Sequence, residues 1–398
     1  MYPLLNGLSI IEASSFVASP TAGLYLAQMG AEVIRVDQIG GGPDFNRWPK
    51  AENGASLYWE NLNRAKKSVA LDLNKPEARE ILQELAAKTG QFITNFPVGG
   101  FLSHENLVAK RSDMITVRVM GMADGGPALD YTVNAAVGFP DLTGTGPEPV
   151  NHVLAAWDLL TGAYSAFAMM IALHHRSATG LGQEVRVPLS DVAIGTAANL
   201  GMLAEVLHTG ENRERFGNSV YGAFGRDFVT GDGVRLMIMA ITPRQWTGLV
   251  SVLGISENVA AIEAERNVSL IKDEGLRFTH RDALFPLVEA KVATWNYADL
   301  KSALDKVGGC YGAYQTMKDA ASDPVLVTNN PMFGSAANPS GLDYPAAGSL
   351  ASIPQLDRAP PRSAPRLGAH SDEILERVLG LSSGQIATLH DEGLVFQA

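Results

Sequence analysis

Short runs of branched apolar residues alternate with longer amphipathic segments through the first half of the chain. Runs of four or five such residues predict strands, whereas apolar residues that recur every three or four positions predict helices. Strands that alternate with helices are typical of a parallel sheet covered by helices. The predicted strands are Leu8–Ile11, Glu32–Val36, Gln91–Thr94, Ile115–Val119 and Glu184–Val187, and the predicted helices are Pro20–Met29, Pro76–Lys88 and Asp158–His175.

The alternation of predicted strands and helices changes in the second half of the chain. Residues 222–320 predict a small α+β domain, in which a hairpin turns at 231–233 and helical segments follow from Pro243 through Leu304. Residues 329–367 are rich in Pro, Ala, Gly and Ser and have no period, as expected of a tether or an extended surface loop. Two short helices are predicted in the remaining residues, 368–398.

The composition excludes several classes of protein. With 46% hydrophobic and 18% charged residues, the 398-residue chain has the make-up of a folded protein. Its net charge of −11 argues against a general nucleic-acid binder. The single cysteine, Cys310, excludes an intramolecular disulfide framework and fits a reducing compartment. Without a secretory signal, and with polar residues interrupting the apolar run 153–173, we expect a cytoplasmic protein with no membrane span.

Asp158 is the only charged residue between Val153 and Leu173. An unpartnered carboxylate removed from water costs several kcal/mol, so its presence calls for a reason. One interpretation is an N-cap, which stabilises a helix by about 1 kcal/mol. Another is a nucleophile toward an acyl group, since the helix dipole keeps the carboxylate ionised while apolar neighbours keep it poorly solvated. The local sequence leaves both interpretations open.

Three basic residues, Arg64, Lys66 and Lys67, lie together just before a run of strand residues. Such a cluster is usually a solvated turn. In an acidic chain it is also a suitable contact for phosphate groups, with Arg47 as a further contributor. A little farther on, Asn74 precedes Pro76 and is a candidate N-cap for the helix predicted there.

Other motifs exclude further kinds of site. The glycine-rich stretch 39–48 lacks the G-x-G-x-x-G order, and no early glycine pair follows the first strand, so a nicotinamide dinucleotide site is not expected. The histidines show no metal-ligand spacing, and no serine-nucleophile motif is present. We therefore expect no metal ion and no bound cofactor.

Several ordered motifs together are similar to those of the class III CoA-transferases, the family of formyl-CoA transferase and carnitine CoA-transferase. They are GLSIIEASSFVASPTAGLYLAQMGAEVIRVD, NRAKKSVALDL, FITNFPVGG, AAWDLLTGAYSAF, HHRSATGLGQEVRVPLSDV and RLGAHSDEIL, and they cover nearly the whole chain. The resemblance implies an interlocked homodimer with an α/β fold. Its large CoA-binding domain, with a Rossmann-like parallel sheet, would combine residues 1–200 with 368–398, and residues 329–367 would be the return linker from the small α+β domain.

The resemblance also implies the chemistry. Asp158 matches the family's nucleophile, which attacks an acyl-CoA thioester to form an aspartyl anhydride and is then converted to an aspartyl-CoA thioester. The CoA thioester is therefore a substrate rather than a cofactor. The positions that match the CoA site are Phe16 and Val17 near the thioester, Leu71, Asn74, Asn95 and Phe96 around the adenosine part, Lys66 near the phosphates, and Tyr131.

The motifs constrain the identity of the acyl group less than they constrain the chemistry. Segments such as FVASPTAG and DYTVNAAVGFP favour the type within the family that moves CoA between the two carboxylates of one mesaconyl group. An intermolecular transferase that uses succinyl-CoA or another acyl-CoA remains open. So does an acyl-CoA racemase of the same fold, in which His152 would supply a second acid/base group. A non-catalytic CoA-binding module is a third interpretation. Arg47, Tyr221 and Arg226 are candidates to bind the distal carboxylate of a dicarboxylic substrate.

Overall fold

The computed structural model describes all 398 residues, which divide into two compact units. The first unit comprises Met1–Gly138, Asn151–Glu211 and Asp323–Ala398, and the second comprises Phe139–Val150 and Asn212–Ser322. The predicted small domain, 222–320, therefore falls in the second unit. The segments 329–367 and 368–398 belong to the first.

The structure contains twelve strands and seventeen α-helices. The strands are β1 (Ser9–Ala13), β2 (Glu32–Gln38), β3 (Lys67–Leu71), β4 (Gln91–Thr94), β5 (Ile115–Met120), β6 (Glu184–Pro188), β7 (Phe224–Val229), β8 (Arg235–Ala240), β9 (Cys310–Ala313), β10 (Phe333–Gly334), β11 (Ala346–Ala347) and β12 (Val395–Phe396). The helices are α1 (Ala18–Gln28), α2 (Leu57–Leu62), α3 (Pro76–Thr89), α4 (His104–Lys110), α5 (Asp130–Ala136), α6 (Phe139–Leu142), α7 (Ala156–Thr179), α8 (Leu189–Asn199), α9 (Met202–Thr209), α10 (Pro243–Leu253), α11 (Ser256–Arg266), α12 (Glu274–Thr279), α13 (Arg281–Val292), α14 (Tyr297–Val307), α15 (Met317–Ser322), α16 (Ser371–Leu379) and α17 (Ser383–Asp391). A short π-helical segment spans Pro324–Thr328.

The first unit is built on a seven-stranded sheet in the order β12-β3-β2-β1-β4-β5-β6. All neighbours are parallel except β12, which pairs antiparallel with β3. From β1 the chain first adds strands on one side of the sheet and then, from β4 onward, on the other. In such sheets ligands bind beyond the carboxyl ends of the strands, where the order reverses. The fold therefore directs attention to the ends of β1 and β4.

Both faces of this sheet are buried, and alternate residues of each strand serve the two faces. Ile11 packs on one face in a cluster with α3, α16 and α17. Ile10 packs on the opposite face with α1 and α7. This arrangement explains why the central strands read as continuous apolar runs. The predicted α/β fold with a parallel sheet is confirmed.

The three predicted helices are present, but two of them begin two residues earlier than predicted, the first at Ala18 rather than Pro20. The third helix begins at Ala156 rather than Asp158, and it continues to Thr179, where Gly180 ends it in a left-handed conformation. Asn74 does not cap α3, because Lys75 occupies the N-cap position and the amide of Asn74 donates to Asp72 instead.

Helix α7 is long and apolar enough, by length and composition alone, to cross a membrane. This is weak evidence, because core helices of soluble proteins have the same properties. One face of α7 packs within the first unit, and its buried residues recur at helical spacing. These are Trp157, Thr161, Gly162, Ser165, Ala168, Met169 and Ala172.

The second unit has its own core. The antiparallel strands β7, β8 and β9 form a three-stranded sheet in the order β7-β8-β9, against which helices α10 to α14 pack. Phe224, Trp246 and Phe285 are among the largest buried side chains of this core. The predicted hairpin is present, since β7 and β8 pair directly across the turn.

Candidate active site

The ends of β1 and β4 are joined by side-chain hydrogen bonds. Asn95, the residue after β4, accepts the backbone N–H of Ser15 at 3.2 Å and donates its amide to the carbonyl of Ser15 at 3.0 Å. The turn that leads from β1 into α1 is thereby fixed to the neighbouring strand at the point where the strand order reverses. A rigid loop at this position can present backbone groups to a ligand.

Phe16 occupies the tightest part of this turn. Its φ of 68° lies in the left-handed region, which costs a non-glycine residue about 1 kcal/mol. The N–H of Phe16 donates to Asp44 at 3.0 Å, and Asp44 is fully buried beside Arg35. The buried carboxylate therefore holds Phe16 in a conformation that the residue would not adopt by itself.

A network of buried charges lies beneath the turn, between the sheet and α1. Arg35 makes a bidentate contact with Asp37, with both distances 2.8 Å, and also bonds to Glu12 and the carbonyl of Ser14. Burial opposes the charge on Arg35, but Asp37, Asp44 and Glu12 outweigh it and raise the pKa of the guanidinium. The network anchors the β1–α1 turn from below.

Gly162 allows α7 to approach α1 closely. A Cβ atom at this position would lie 2.6 Å from the carbonyl oxygen of Ala18 and 2.7 Å from the Cβ of Thr21. Backbone contacts at these distances cannot be relieved by a change of rotamer. The glycine therefore lets the second turn of α7, one turn beyond Asp158, pack against the first turn of α1.

Replacing Gly162 with Ala should lower stability by about 1–3 kcal/mol and reduce activity, because α1 and α7 must separate. Denaturant unfolding and steady-state kinetics measure the two effects. Gly195→Ala on α8 is the matched control, since a Cβ there meets nothing within 4 Å and the change should be neutral or stabilising. Equal effects of the two substitutions would contradict the close-packing argument.

Asp158 is the third residue of α7 and does not cap it. The helix is capped from outside by Asp130, the first residue of α5, whose Oδ2 accepts the N–H of Trp157 at 2.7 Å and of Asp158 at 3.1 Å. The Oδ1 atom of Asp130 contacts Nε2 of His152 at 2.7 Å. Because Asp130 satisfies the backbone, the carboxyl group of Asp158 is left available for chemistry. The N-cap interpretation of Asp158 is therefore wrong.

The surroundings of Asp158 raise its pKa from 3.8 to about 6. Burial is the largest cause, the like charge of Asp130 adds to it, and Arg47 opposes both. Arg47 is exposed and lies over the rings of Phe16 and Tyr58 at 5.4 and 5.2 Å. At neutral pH Asp158 is thus mostly ionised but poorly solvated, which suits a nucleophile.

This pKa predicts the pH dependence of activity. A carboxylate nucleophile reacts in its ionised form, so with Asp158 in that role kcat/KM should fall as the pH drops through about 6 and should level off above it. Asp130→Asn removes the neighbouring negative charge while its amide oxygen can still accept a backbone N–H. Its acid limb should therefore move to lower pH. A pH profile that does not move in this variant would contradict the contribution assigned to Asp130.

Asp158 lines a cavity of about 870 Å³ at the carboxyl ends of β1, β4 and β5. The β1–α1 turn, the segment after β4 and the loop that links β5 to α5 form its walls. The last of these is tightly folded, since a Cβ on Gly121 would lie 2.4 Å from the backbone N of Ala128. A cavity of this size, apolar apart from a few polar groups, is typical of a small-molecule site.

Comparisons with known proteins decide the family. The model of CoA-transferase family III matches residues 5–371. The chain belongs to this family.

Two relatives and one solved structure are similar over nearly the full length. The 2-methylfumaryl-CoA isomerase of Chloroflexus aurantiacus is 42% identical over 99% of this chain and 98% of its own. The succinyl-CoA–D-citramalate CoA-transferase of the same organism is 27% identical, over 98% of both chains. The crystal structure of a CaiB/BaiF family protein from Brucella suis has a TM-score of 0.76 and 28% identity, covering 95% of this chain and 100% of that one. These matches support an enzyme of the CoA-transferase and isomerase type.

The structure brings together five of the residues that resemblance to this family assigns to the site. Phe16, Val17, Asn95, Phe96 and Asp158 all line the cavity. Their segments are far apart in sequence and meet only because the parallel sheet aligns the ends of β1 and β4 beside α7.

The other four assigned residues lie outside the cavity lining. Leu71 is fully buried in the core. Asn74 is exposed, at the start of α3. Tyr131 is half exposed on α5, with its hydroxyl donating to the carbonyl of Val153 at 3.2 Å and its ring beside His152. A role for these residues in CoA binding stays a prediction.

Lys66, the fourth, is buried beneath α1. Its ammonium group donates to Glu12, to the carbonyl of Pro20 at 2.8 Å and to Asn63 at 2.9 Å. Burial lowers the pKa of Lys66 to about 8, although Glu12 opposes this effect. Arg64 is also buried, and Lys67 pairs with Glu32 and Glu373. The three basic residues therefore do not form an open patch, and a phosphate contact would require Lys66 to leave these acceptors.

Sequence reasoning missed Asp130 and the β5–α5 loop. The signal for the loop was present, since residues 121–128 are rich in glycine and directly follow a predicted central strand. The rule that ligands bind beyond the carboxyl ends of parallel strands would have included it. Asp130 had no comparable signal, because its partners lie 27 and 28 positions farther along the chain.

Proposed function

We propose that this protein moves CoA between carboxylate groups, with Asp158 as the covalent nucleophile, and that its substrate is a mesaconyl-CoA whose two carboxylates exchange CoA. The observation that carries the proposal is a poorly solvated aspartate in a cavity at the switch point of the sheet. The 42% identity to a 2-methylfumaryl-CoA isomerase supports the choice of substrate.

The proposed reaction is a sequence of acyl transfers. A carboxylate oxygen of Asp158 attacks the thioester carbonyl, and the C–S bond of the tetrahedral intermediate breaks, which gives a mixed anhydride and CoA as a thiolate. The thiolate then attacks the aspartyl carbonyl, which gives an aspartyl-CoA thioester and releases the dicarboxylate within the cavity. The second carboxylate of the same acid attacks this thioester, and the thiolate completes the exchange at the new anhydride. Asp158 is regenerated with no net gain or loss of protons.

The surrounding residues have distinct roles in this scheme. Because Asp44 takes the N–H of Phe16, the N–H groups of Val17 and Ala18 are the donors that the start of α1 can offer to a tetrahedral oxyanion. Apolar walls shield the anhydride from water. Arg47, the cation whose charge acts on Asp158, is the candidate to attract the free carboxylate.

The test uses mesaconyl-C1-CoA as the only substrate, with regioisomers followed by chromatography and mass spectrometry. Conversion to the C4 isomer without an added acid is the expected result. If conversion requires succinate or another acid, the enzyme is an intermolecular transferase and the intramolecular proposal fails. If the α-carbon of a 2-methylacyl-CoA loses its configuration or exchanges with solvent deuterium, the protein is a racemase.

The geometry gives the racemase less support. Its second acid/base group would be His152, but Nε2 of His152 contacts Asp130, and His152 is not among the residues that line the cavity. The second acid/base group that a racemase needs is thus not among the residues that line the cavity.

We extend the proposal to a homodimer. The outer face of α7 exposes Leu160, Tyr164, Phe167 and Ile171, and α9 exposes Leu207. Large exposed apolar side chains that recur at helical spacing along one face of α7 are typical of an interface rather than of a surface in contact with water. Light scattering should give twice the mass of the 42.3 kDa chain. A monomer at micromolar concentration would contradict this part of the proposal.

A further inference from the structure

We infer that Arg186 is the phosphate-binding cation of this cavity: its guanidinium contacts a phosphate group of the CoA moiety, at the end of the substrate remote from Asp158. This inference rests on the proposed function, because it takes an acyl-CoA thioester as the ligand. It concerns a residue that the sequence motifs did not single out.

The first observation is the distribution of charge around the cavity. Arg186 is the only Lys or Arg among the residues that line it, and the acidic groups there are Asp124 and Asp158. CoA carries several negative charges on its phosphates. Phosphates bind favourably beside a cation, and Arg186 is the only Lys or Arg that the lining of this cavity offers them.

The second observation is that Arg186 is already oriented. Arg186 lies in the middle of β6, and its Nε and Nη2 atoms both contact Oε2 of Glu184 at 2.7 Å. These contacts leave the Nη1 edge of the guanidinium available to a ligand. The side chain is 47% exposed, which leaves it accessible from the cavity.

The third observation connects Arg186 with the cavity wall. The other oxygen of Glu184 binds Arg118 at 2.7 Å, and Arg118 donates to the carbonyls of Phe96, Pro97 and Leu102 at 2.8–2.9 Å. Arg118 is fully buried and so fixes the segment after β4. Glu184 therefore places Arg186 next to a rigid wall made by the same segment that contributes Asn95 and Phe96.

The position of Arg186 separates it from the reacting carbonyl. Arg47 is the cation that lowers the pKa of Asp158, and Arg186 does not contribute to it. Arg186 instead acts on His104 and Glu105 at the start of α4. A thioester carbonyl at Asp158 puts the acyl carboxylate near Arg47, whereas the phosphates lie at the opposite end of the pantetheine arm. The geometry therefore favours a phosphate, rather than the distal carboxylate, as the partner of Arg186.

The test compares Arg186→Gln with the unmodified enzyme on three thioesters of the same acid, made with CoA, with dephospho-CoA and with pantetheine. We expect KM for the CoA thioester to rise roughly tenfold with little change in kcat, and its salt dependence to weaken. The pantetheine thioester has no phosphates, so its kinetics should be unchanged by the substitution. If Arg186 contacts the 3′-phosphate, the substitution should leave KM for the dephospho-CoA thioester unchanged. If Arg186 contacts the pyrophosphate, the substitution should raise that KM as it does for the CoA thioester.

Arg377→Gln is the matched control, since Arg377 is 46% exposed, pairs with Glu32 and does not line the cavity. It should leave every KM unchanged. The inference is overturned if Arg186→Gln also leaves every KM unchanged. It is likewise overturned if Arg186→Gln impairs turnover of the pantetheine thioester as much as that of the CoA thioester, a result that would assign Arg186 to the acyl carboxylate. If the unmodified enzyme acts on no acyl-CoA, the proposed function fails, and tight binding of free CoA that weakens in Arg186→Gln would still support the site.

Discussion

Asp158→Asn should lower the rate of CoA transfer by at least roughly 10³-fold, while the variant folds and still binds acyl-CoA. The amide keeps the size and most of the polarity of the side chain but cannot attack a thioester. Loss of the rate without loss of binding would place Asp158 in the covalent step. The measurement is turnover of mesaconyl-C1-CoA together with the dissociation constant for the substrate.

Mass spectrometry of the intact protein gives a second readout. After incubation with substrate and rapid acid quenching, a fraction of the unmodified enzyme should carry CoA as an aspartyl thioester, and Asp158→Asn should carry none. Asp191→Asn is the matched control, because Asp191 also lies in the first turn of a helix but is exposed and outside the cavity lining. Activity of Asp158→Asn within tenfold of the control would remove Asp158 from the mechanism.

The same substitution should stabilise the fold. The pKa of Asp158 rises from 3.8, the ordinary value for a solvated aspartate, to about 6 in the folded protein, so the folded state holds the proton more tightly. The ionised carboxylate therefore destabilises the fold increasingly as the pH rises from about 4 to 6, and the cost persists above that range. At pH 7.5 Asp158→Asn should be more stable by about 1–3 kcal/mol in denaturant unfolding. A stable, inactive variant would exclude misfolding as the cause of lost activity.

Asp158 could be singled out from the sequence as a candidate, whereas its structural setting could not be predicted. A single charge in an apolar run marked Asp158 as unusual, and the motifs around it suggested chemistry. The sequence could not show that another side chain caps α7, and it therefore left the N-cap interpretation open. Asp130 resolves that question only after the chain has folded.

The prediction of a solvated basic cluster, in contrast, is wrong. Arg64, Lys66 and Lys67 are close in sequence, and from that spacing they predict a solvated patch. The strand that follows them alternates its side chains between two faces, and Lys66 is directed under α1 toward Glu12, 54 positions earlier. The order of charged residues along the sequence does not reveal which of them acquire buried partners. Arg186 was missed for the related reason that a charged residue on an edge strand looks like ordinary solvent-facing alternation.

The order of the strands in the sheet could not be predicted from the sequence pattern either. Alternating strands and helices predict a parallel sheet, but they do not say on which side of β1 each later strand is added. That choice creates the switch point between β1 and β4, and thus decides that Ser15 and Asn95 meet. The two-residue strand β12 was also missed, because it is too short to show a period.

Arg35→Met should lower the free energy of unfolding by about 3–5 kcal/mol, because Asp37 and Asp44 would remain buried without their cation and Glu12 would keep only Lys66. Glu12, Asp37 and Asp44 all contact Arg35, and each is at most 4% exposed. Methionine fills much of the space but supplies no charge. The measurement is denaturant unfolding at pH 7.5, supported by the fraction of soluble protein.

The effect should be specific to the buried network. Arg377→Met removes a surface pair to Glu32 and should cost less than about 1 kcal/mol, since exposed ion pairs contribute little. If Arg35→Met is insoluble while Arg377→Met is soluble, the predicted loss of stability is still supported. The milder variant Asp44→Asn then tests whether the buried network supports the candidate site. Asp44→Asn weakens the hold on Phe16 and should raise KM for acyl-CoA more than it lowers stability. Equal stability of Arg35→Met and Arg377→Met would show that the buried carboxylates find other compensation and would contradict the role assigned to Arg35.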